Sequence, residues 1–350
     1  MDISKKEQTQ TAGDNSLQTQ FGNLNNCNVT INDKELIRAI ATEVCSKEML
    51  NVYRTCTQDA IELANKRDSM FAQVFIPRIE QIESSIKALK EPSFQFMIQD
   101  ARETAAKTDR KEDWELLSEL LICHIEKGQN KTIDAGVSRA IKIVNEIDID
   151  ALCALTVVCS LLDVGPVDGD IRIGLSALDD LYGSLLHINL PEGYGWIDQL
   201  SILGAINILT GDFYKLGKLL SLRYDGYICV GIKKDSEEHK NALKILNAKG
   251  YSTEVLIENE CMPDYLRLKI ARTSTLKDEL KPILDLYTKD KKLEKNAIAN
   301  FVEIWSTYNN LKTVKDWFEK IPAYFTVNSV GKALAQTNAK RCHQSFPDLI

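Results

Sequence analysis

The chain has 350 residues, 44% of them hydrophobic and 27% charged, with a formal net charge of −7. That length allows two domains and a substantial core, and the acidic balance argues against a nucleic-acid footprint spread over the whole chain. No apolar run reaches the length of a membrane span, and the polar opening Met1 to Asn15 lacks signal-peptide character. Nine cysteines, none in a Cys-x-x-Cys pair, read as reduced thiols of a cytoplasmic protein.

In chain order, the first patterned stretch is Ser16 to Ile31. Leu17, Thr19 and Phe21 alternate with Gln18 and Gln20, and Cys27, Val29 and Ile31 alternate with Asn28 and Thr30, around an Asn/Gly turn. Two short strands alone are marginal in water, so they need further strands to pair with. We expect residues 1–32 to be an oligomerisation segment, with Leu17, Thr19, Phe21, Val29 and Ile31 at the contact between copies. A hairpin folded back on its own helical domain is the alternative.

From Asp33 to Leu89 apolar residues recur at spacings of three and four, through Ile37, Ile40, Val44, Phe71, Phe75, Ile79 and Ile86. This predicts a long helix or helical hairpin over 33–91, either coiled-coil-like or an ordinary bundle pair. Arg67-Asp68-Ser69 reads as a break, and Pro77 as a kink or restart.

Residues 92–223 read as a helical core of compact helices, with Ala151 to Leu162, apolar nearly all round, as its buried centre. Cys153, Cys159 and Cys229 sit in apolar surroundings and read as small core residues. Trp196 to Leu209 and Phe213 to Leu222 are expected as helices. The period then changes over 224–272: strands at Tyr227 to Ile232 and Thr253 to Ile257, a helix at Ser236 to Lys249, and an alternation of Leu266, Leu268 and Ile270 with Arg267 and Lys269. This order is close to a winged helix, with Glu258 to Asp264 as the wing turn. Residues 273–350 are expected to be helical at Leu276 to Tyr287, Ala297 to Leu311, Val314 to Ile321 and Val327 to Ala339, with Lys289 to Lys295 a polar joint. The fold class is therefore mainly α, with an N-terminal β segment and a small winged-helix-like α/β insert.

Chemistry-bearing patterns are few. Asp163, Asp168 and Asp170, around Gly165-Pro166 and Gly169, could supply oxygen ligands to Ca²⁺ or Mg²⁺. They lack calcium-loop spacing and a closing Glu, and Asp and Gly also serve turns and helix caps. Lys233, Lys234, Lys240 and Lys244 give the insert a basic aspect suited to nucleic-acid contact, offset by Asp235, Glu237 and Glu238. The four histidines lack zinc-site spacing, and His124 beside an apolar helical face reads as a packed side chain. No phosphate-binding loop or nucleophile elbow occurs, so the reading nominates no catalytic residue and no cofactor.

Thr11-Ala12-Gly13-Asp14-Asn15-Ser16-x-Gln18-x-Gln20 resembles the opening of an uncharacterised bacterial family that begins with an Ala-Gly-Asp-Asn-Ser segment. The runs Thr108-Asp109-Arg110-x-Glu112-Asp113-Trp114, Cys229-Val230-Gly231-Ile232-Lys233-Lys234 and Tyr265-Leu266-Arg267-Leu268 are similar to it too. The helix Trp114 to Leu121 resembles, at one residue shorter spacing, a Trp-x-x-Leu-Leu helix of abortive-infection α-type proteins. These resemblances imply bacterial origin and a role in defence against phage, and bring no catalytic residues with them. The expected function is a homo-oligomeric interaction protein, a sensor or scaffold meeting itself and a phage or host protein away from the membrane. The alternatives are a winged-helix DNA-binding regulator and a metal-dependent hydrolase or nuclease built on Asp163, Asp168 and Asp170.

Overall fold

The computed structural model of the protein describes residues 37–40, 42, 58–127, 130–211 and 215–349. The expected strand segment, including Leu17, Thr19, Phe21, Val29 and Ile31, lies outside the described residues. The described chain is mainly helical, with two small antiparallel sheets. Among the described residues, no helix is long and apolar enough to cross a membrane.

Helix α1 (Gln58–Ile79) buries Asp68, Phe71, Phe75 and Ile79 on one face, at the three-and-four spacing of a single helical stripe. It runs unbroken through Arg67-Asp68-Ser69 and two residues past Pro77, where a break and a kink or restart were expected. Asp68 is not a breaker because it points inward. After the short α2 (Ser85–Leu89), Arg102 of α3 (Pro92–Lys107) donates Nε to Asp68 Oδ1 at 2.7 Å and Nη2 to Oδ2 at 2.5 Å. This bidentate pair pins α1 to α3 inside an otherwise apolar contact.

Helices α4 (Lys111–Lys127), α5 (Lys131–Ile143) and α6 (Ile149–Asp163) complete the first half of the core. Every residue from Ala151 to Leu161 is buried, so α6 is the central helix that its all-round apolar sequence predicts. Its two hydroxyls are satisfied by its own backbone: Thr156 donates to Leu152 O and Ser160 to Thr156 O, each at 2.7 Å.

Then come α7 (Ile171–Leu185), α8 (Gly195–Ile202), β1 (Ile206–Leu209), α9 (Leu216–Arg223), β2 (Ile232–Lys233), α10 (Glu237–Ala248), β3 (Leu256–Glu258), β4 (Tyr265–Leu268) and α11 (Lys281–Leu284). The chain closes with α12 (Lys291–Trp305), α13 (Asn309–Phe318), β5 (Tyr324–Val327) and α14 (Ser329–Cys342). Helix α14 packs across α4, α5 and α6.

Several expected helices are corrected here. Gly204, at φ +71°, ends α8, and the β-branched Ile206 and Ile208 then form a strand paired with β5 in the register Ile206↔Val327 to Leu209↔Tyr324. Val327 therefore ends a strand; α14 starts after Asn328, whose Oδ1 accepts from Val330 N and Gly331 N. The lysine run expected as a joint opens α12 instead, capped by Asp290, which accepts from Lys292 N and Leu293 N. Leu276 to Tyr287 holds only a 3₁₀ turn and the four-residue α11. Tyr227 to Ile232 yields strand only at its end, in β2.

The second sheet has the order β2-β4-β3, all antiparallel. The large core takes in both helical halves, together with Tyr224, Tyr227, Cys261 and Met262. A smaller core gathers Ile232, Ala242, Leu246, Leu268, Leu280 and Ile283.

Replacing Asp68 by Ala takes away the carboxylate that faces the buried Arg102 guanidinium. It should cost about 3 kcal/mol of unfolding free energy, read from urea denaturation, with Asp68→Asn losing less. An unchanged midpoint for Asp68→Ala would contradict the role given to the pair.

Candidate functional site

An apolar pocket of about 290 Å³ lies where the C-terminal end of α6 meets α9 and β5. Val158 and Leu162 stand one turn apart on α6, and Leu219 and Leu222 one turn apart on α9. Phe325 and Val327 close the pocket from β5. Two charges stand among these apolar walls: Asp163, the last residue of α6, and Lys332 in the first turn of α14. Their Oδ2 and Nζ atoms are 3.8 Å apart, and the side chains keep 30% and 40% exposure. An apolar concavity with a few convergent polar groups is the usual form of a small-molecule site, and this one sits near the lower end of the usual size range.

The three aspartates expected as a cluster have separate tasks. Asp163 faces the pocket. Asp168 Oδ1 accepts from Asp170 N at 2.7 Å, and Asp170 Oδ1 caps α7 by accepting from Arg172 N at 2.8 Å and Ile173 N at 3.2 Å. Among the described residues, no group of three or more His, Cys, Asp or Glu is placed to hold a metal ion.

What fixes this loop is a residue whose position in the alternation pointed to solvent. Arg267 of β4 has no solvent exposure. Its Nη1 donates to Gly169 O at 2.9 Å and Leu268 O at 3.2 Å. The Tyr227 ring lies 5.3 Å from the guanidinium, and the Tyr227 hydroxyl donates to Asp168 O and to Asp170 O. The approach is so close that a Cβ on Gly169 would stand 2.2 Å from Lys269 O. Arg267 Nε and Nη2 are buried without a hydrogen-bond partner among the described residues, and Glu260 Oε2 stands 3.9 Å from Nη2. Burial pushes the Glu260 carboxyl above its ordinary range, Arg267 opposes that shift, and Asp170 adds to it.

The lysines of the insert are mostly engaged locally. Lys234 Nζ bonds Glu258 Oε1 at 2.8 Å, Lys240 Nζ bonds Glu237 Oε1 at 2.6 Å, and Lys244 donates to Asn241 Oδ1 at 3.5 Å, while Lys233 is exposed. Burial pushes the thiols of Cys153, Cys229 and Cys261 up to about 12 and that of Cys159 higher, so none of them is a thiolate nucleophile near neutral pH. His124 Nδ1 lies 2.5 Å from Asp134 Oδ1, and its ring stacks on Phe94 at 5.2 Å.

The sequence pattern suggested the three aspartates as one cluster but did not mark Lys332, which stands opposite Asp163, or Tyr227 and Arg267, which hold the 168–170 carbonyls. A charged residue set between Leu266 and Leu268 was the available signal for Arg267. Nothing local marks Lys332.

The fold and its pocket define a mainly helical protein carrying a small α/β module. Residues 31–349 match a family model that carries the bare description ":-like". The chain belongs to that uncharacterised family. No curated protein and no solved structure matches it.

The Glu260 carboxyl binds its proton more readily in the fold than in the unfolded chain. Its ionisation therefore works against folding, an effect absent below the unfolded-state pKa and complete above the folded one. Arg267→Met removes the opposing positive charge and should raise the Glu260 titration midpoint further, followed by ¹³C NMR of the carboxyl. A lowered midpoint would refute the assignment.

Proposed function

We propose that this chain is a homo-oligomeric interaction protein, a sensor or scaffold that receives a phage or host protein beside the α6–α9–β5 pocket. The observation that carries the reading is an apolar rim. Leu222 is 67% exposed and Leu162 36% at the pocket itself, with Leu209 at 40% and Ile208 at 38% on the adjoining strand β1. Ile202, at the end of α8 packed against β1, is 75% exposed. Large apolar side chains left exposed on neighbouring elements are typical of recognition surfaces, whereas single ones are ordinary. Self-assembly is assigned to residues 1–32 on their strand-type alternation, and the antiphage setting on the sequence resemblances.

Deleting residues 1–32 should lower the oligomer number measured by light scattering and leave the helical circular dichroism signal in place. Leu222→Asp should leave the oligomer number unchanged, because the rim serves a different partner. An unchanged number in the deletion overturns the assembly assignment, and a reduced number in Leu222→Asp overturns the assignment of the rim.

The strand order β2-β4-β3, with residues 258–264 turning between β3 and β4, favours a second reading as a winged-helix DNA-binding regulator. That reading predicts salt-sensitive duplex binding that Lys240→Glu with Lys244→Glu abolishes, and absence of binding at low salt removes it.

A further inference from the structure

The pocket's composition is selective about what would fill it. Its walls are mainly hydrocarbon, with Val158 and Leu162 from α6, Leu219 and Leu222 from α9, and Phe325 and Val327 from β5, while Tyr324 and Thr326 also line it. They suit an aliphatic or aromatic body. The charges of Asp163 and Lys332 stand 3.8 Å apart, within ion-pair range but too far for a hydrogen bond. Neither side chain makes a hydrogen bond to another described residue. Among the described residues, no hydrogen bond therefore takes up the ammonium's donors or the carboxylate's acceptor sites.

Charge complementarity narrows the head group. A ligand carboxylate that reaches Lys332 enters the repulsive field of Asp163, and a ligand amine that reaches Asp163 meets the repulsion of Lys332. A head carrying both signs on one carbon satisfies both, with its carboxylate on Lys332 and its ammonium on Asp163. The four charges then sum to zero. A volume of about 290 Å³ is ample for one side chain of leucine to phenylalanine size.

The geometry points to a binding site for a free α-amino acid with a large apolar side chain. Binding puts the side chain against the leucines and closes the mouth over the charge pair, where loss of water strengthens each contact. This goes beyond the interaction reading: it assigns a small ligand to the pocket, independently of what covers the rim.

The test is calorimetric titration of the full chain with L-leucine and L-phenylalanine, against 4-methylpentanoate and 3-methylbutylamine as forms of leucine lacking one charge each. Saturable binding of at least one amino acid is expected, with each single-charge analogue at least about tenfold weaker. Lys332→Ala and Asp163→Asn should each weaken amino-acid binding by about the same factor. Both positions are partly exposed, so the melting temperature of the unliganded protein should move little. Three results overturn the site: no heat with any amino acid at millimolar concentration, equal binding of leucine and its single-charge analogues, or wild-type affinity in both variants. Light scattering on the same samples reads the oligomer number separately, so failure of the ligand site and failure of the assembly reading are distinguishable.

Discussion

A guanidinium with no access to water must find its hydrogen bonds inside the protein. Arg267 does so through Nη1 alone, on the carbonyl oxygens of Gly169 from the α6–α7 loop and of Leu268 and Ile270 from its own segment, with Glu260 the nearest carboxylate to Nη2. Removing that charge from solvent is expensive, and only close, well-directed partners offset the cost. The loop must therefore approach β4 closely enough that only glycine fits at position 169. Tyr227 completes the arrangement by holding the carbonyls of Asp168 and Asp170 while its ring lies against the guanidinium. Through this contact the helical core and the small sheet share one seam. Tyr224 extends it, with its hydroxyl on Val164 O and its ring 6.2 Å from both Phe301 and Trp305.

Much of the helical architecture was legible in the sequence, because a helix carries its evidence within a few turns. The stripe of Phe71, Phe75 and Ile79 and the all-apolar run around Leu155 are local patterns, and each gives the expected element. The first sheet, β1 with β5, was not legible for the opposite reason, whereas β2, β3 and β4 overlap stretches where strands were expected. Ile206 to Leu209 is four residues of ordinary helix-compatible sequence, and it becomes a strand by pairing with β5, far along the chain. Asp68 shows the same limit. Next to Arg67 and Ser69 it looks like a helix breaker, and only the guanidinium of Arg102 makes it an interior residue.

The candidate site divides along the same line. Asp163 stood out because it shares a loop with Asp168 and Asp170, and proximity in sequence suggested a shared task. In the fold the three are directed to different places: a pocket, a turn and a helix cap. The residue that pairs with Asp163 is Lys332, in the first turn of the last helix, and no spacing rule connects the two. Apolar walls are equally silent in sequence, since Leu162 and Leu222 occupy positions that any amphipathic helix would fill with leucine. A pocket comes from tertiary arrangement, whereas a metal loop or phosphate loop carries a local signature.

The α6–α7 loop is anchored at both ends by unrelated contacts. One end leaves the pocket at Asp163, and the other is gripped under Arg267 and Tyr227 before it caps α7 through Asp170. It therefore acts as a tether of set length. An inserted or deleted residue could not be taken up as slack, as in an ordinary surface loop; it would have to shift the end of α6 or the start of α7. The spacing between Asp163 and Asp170 is thus a ruler between the pocket and the sheet.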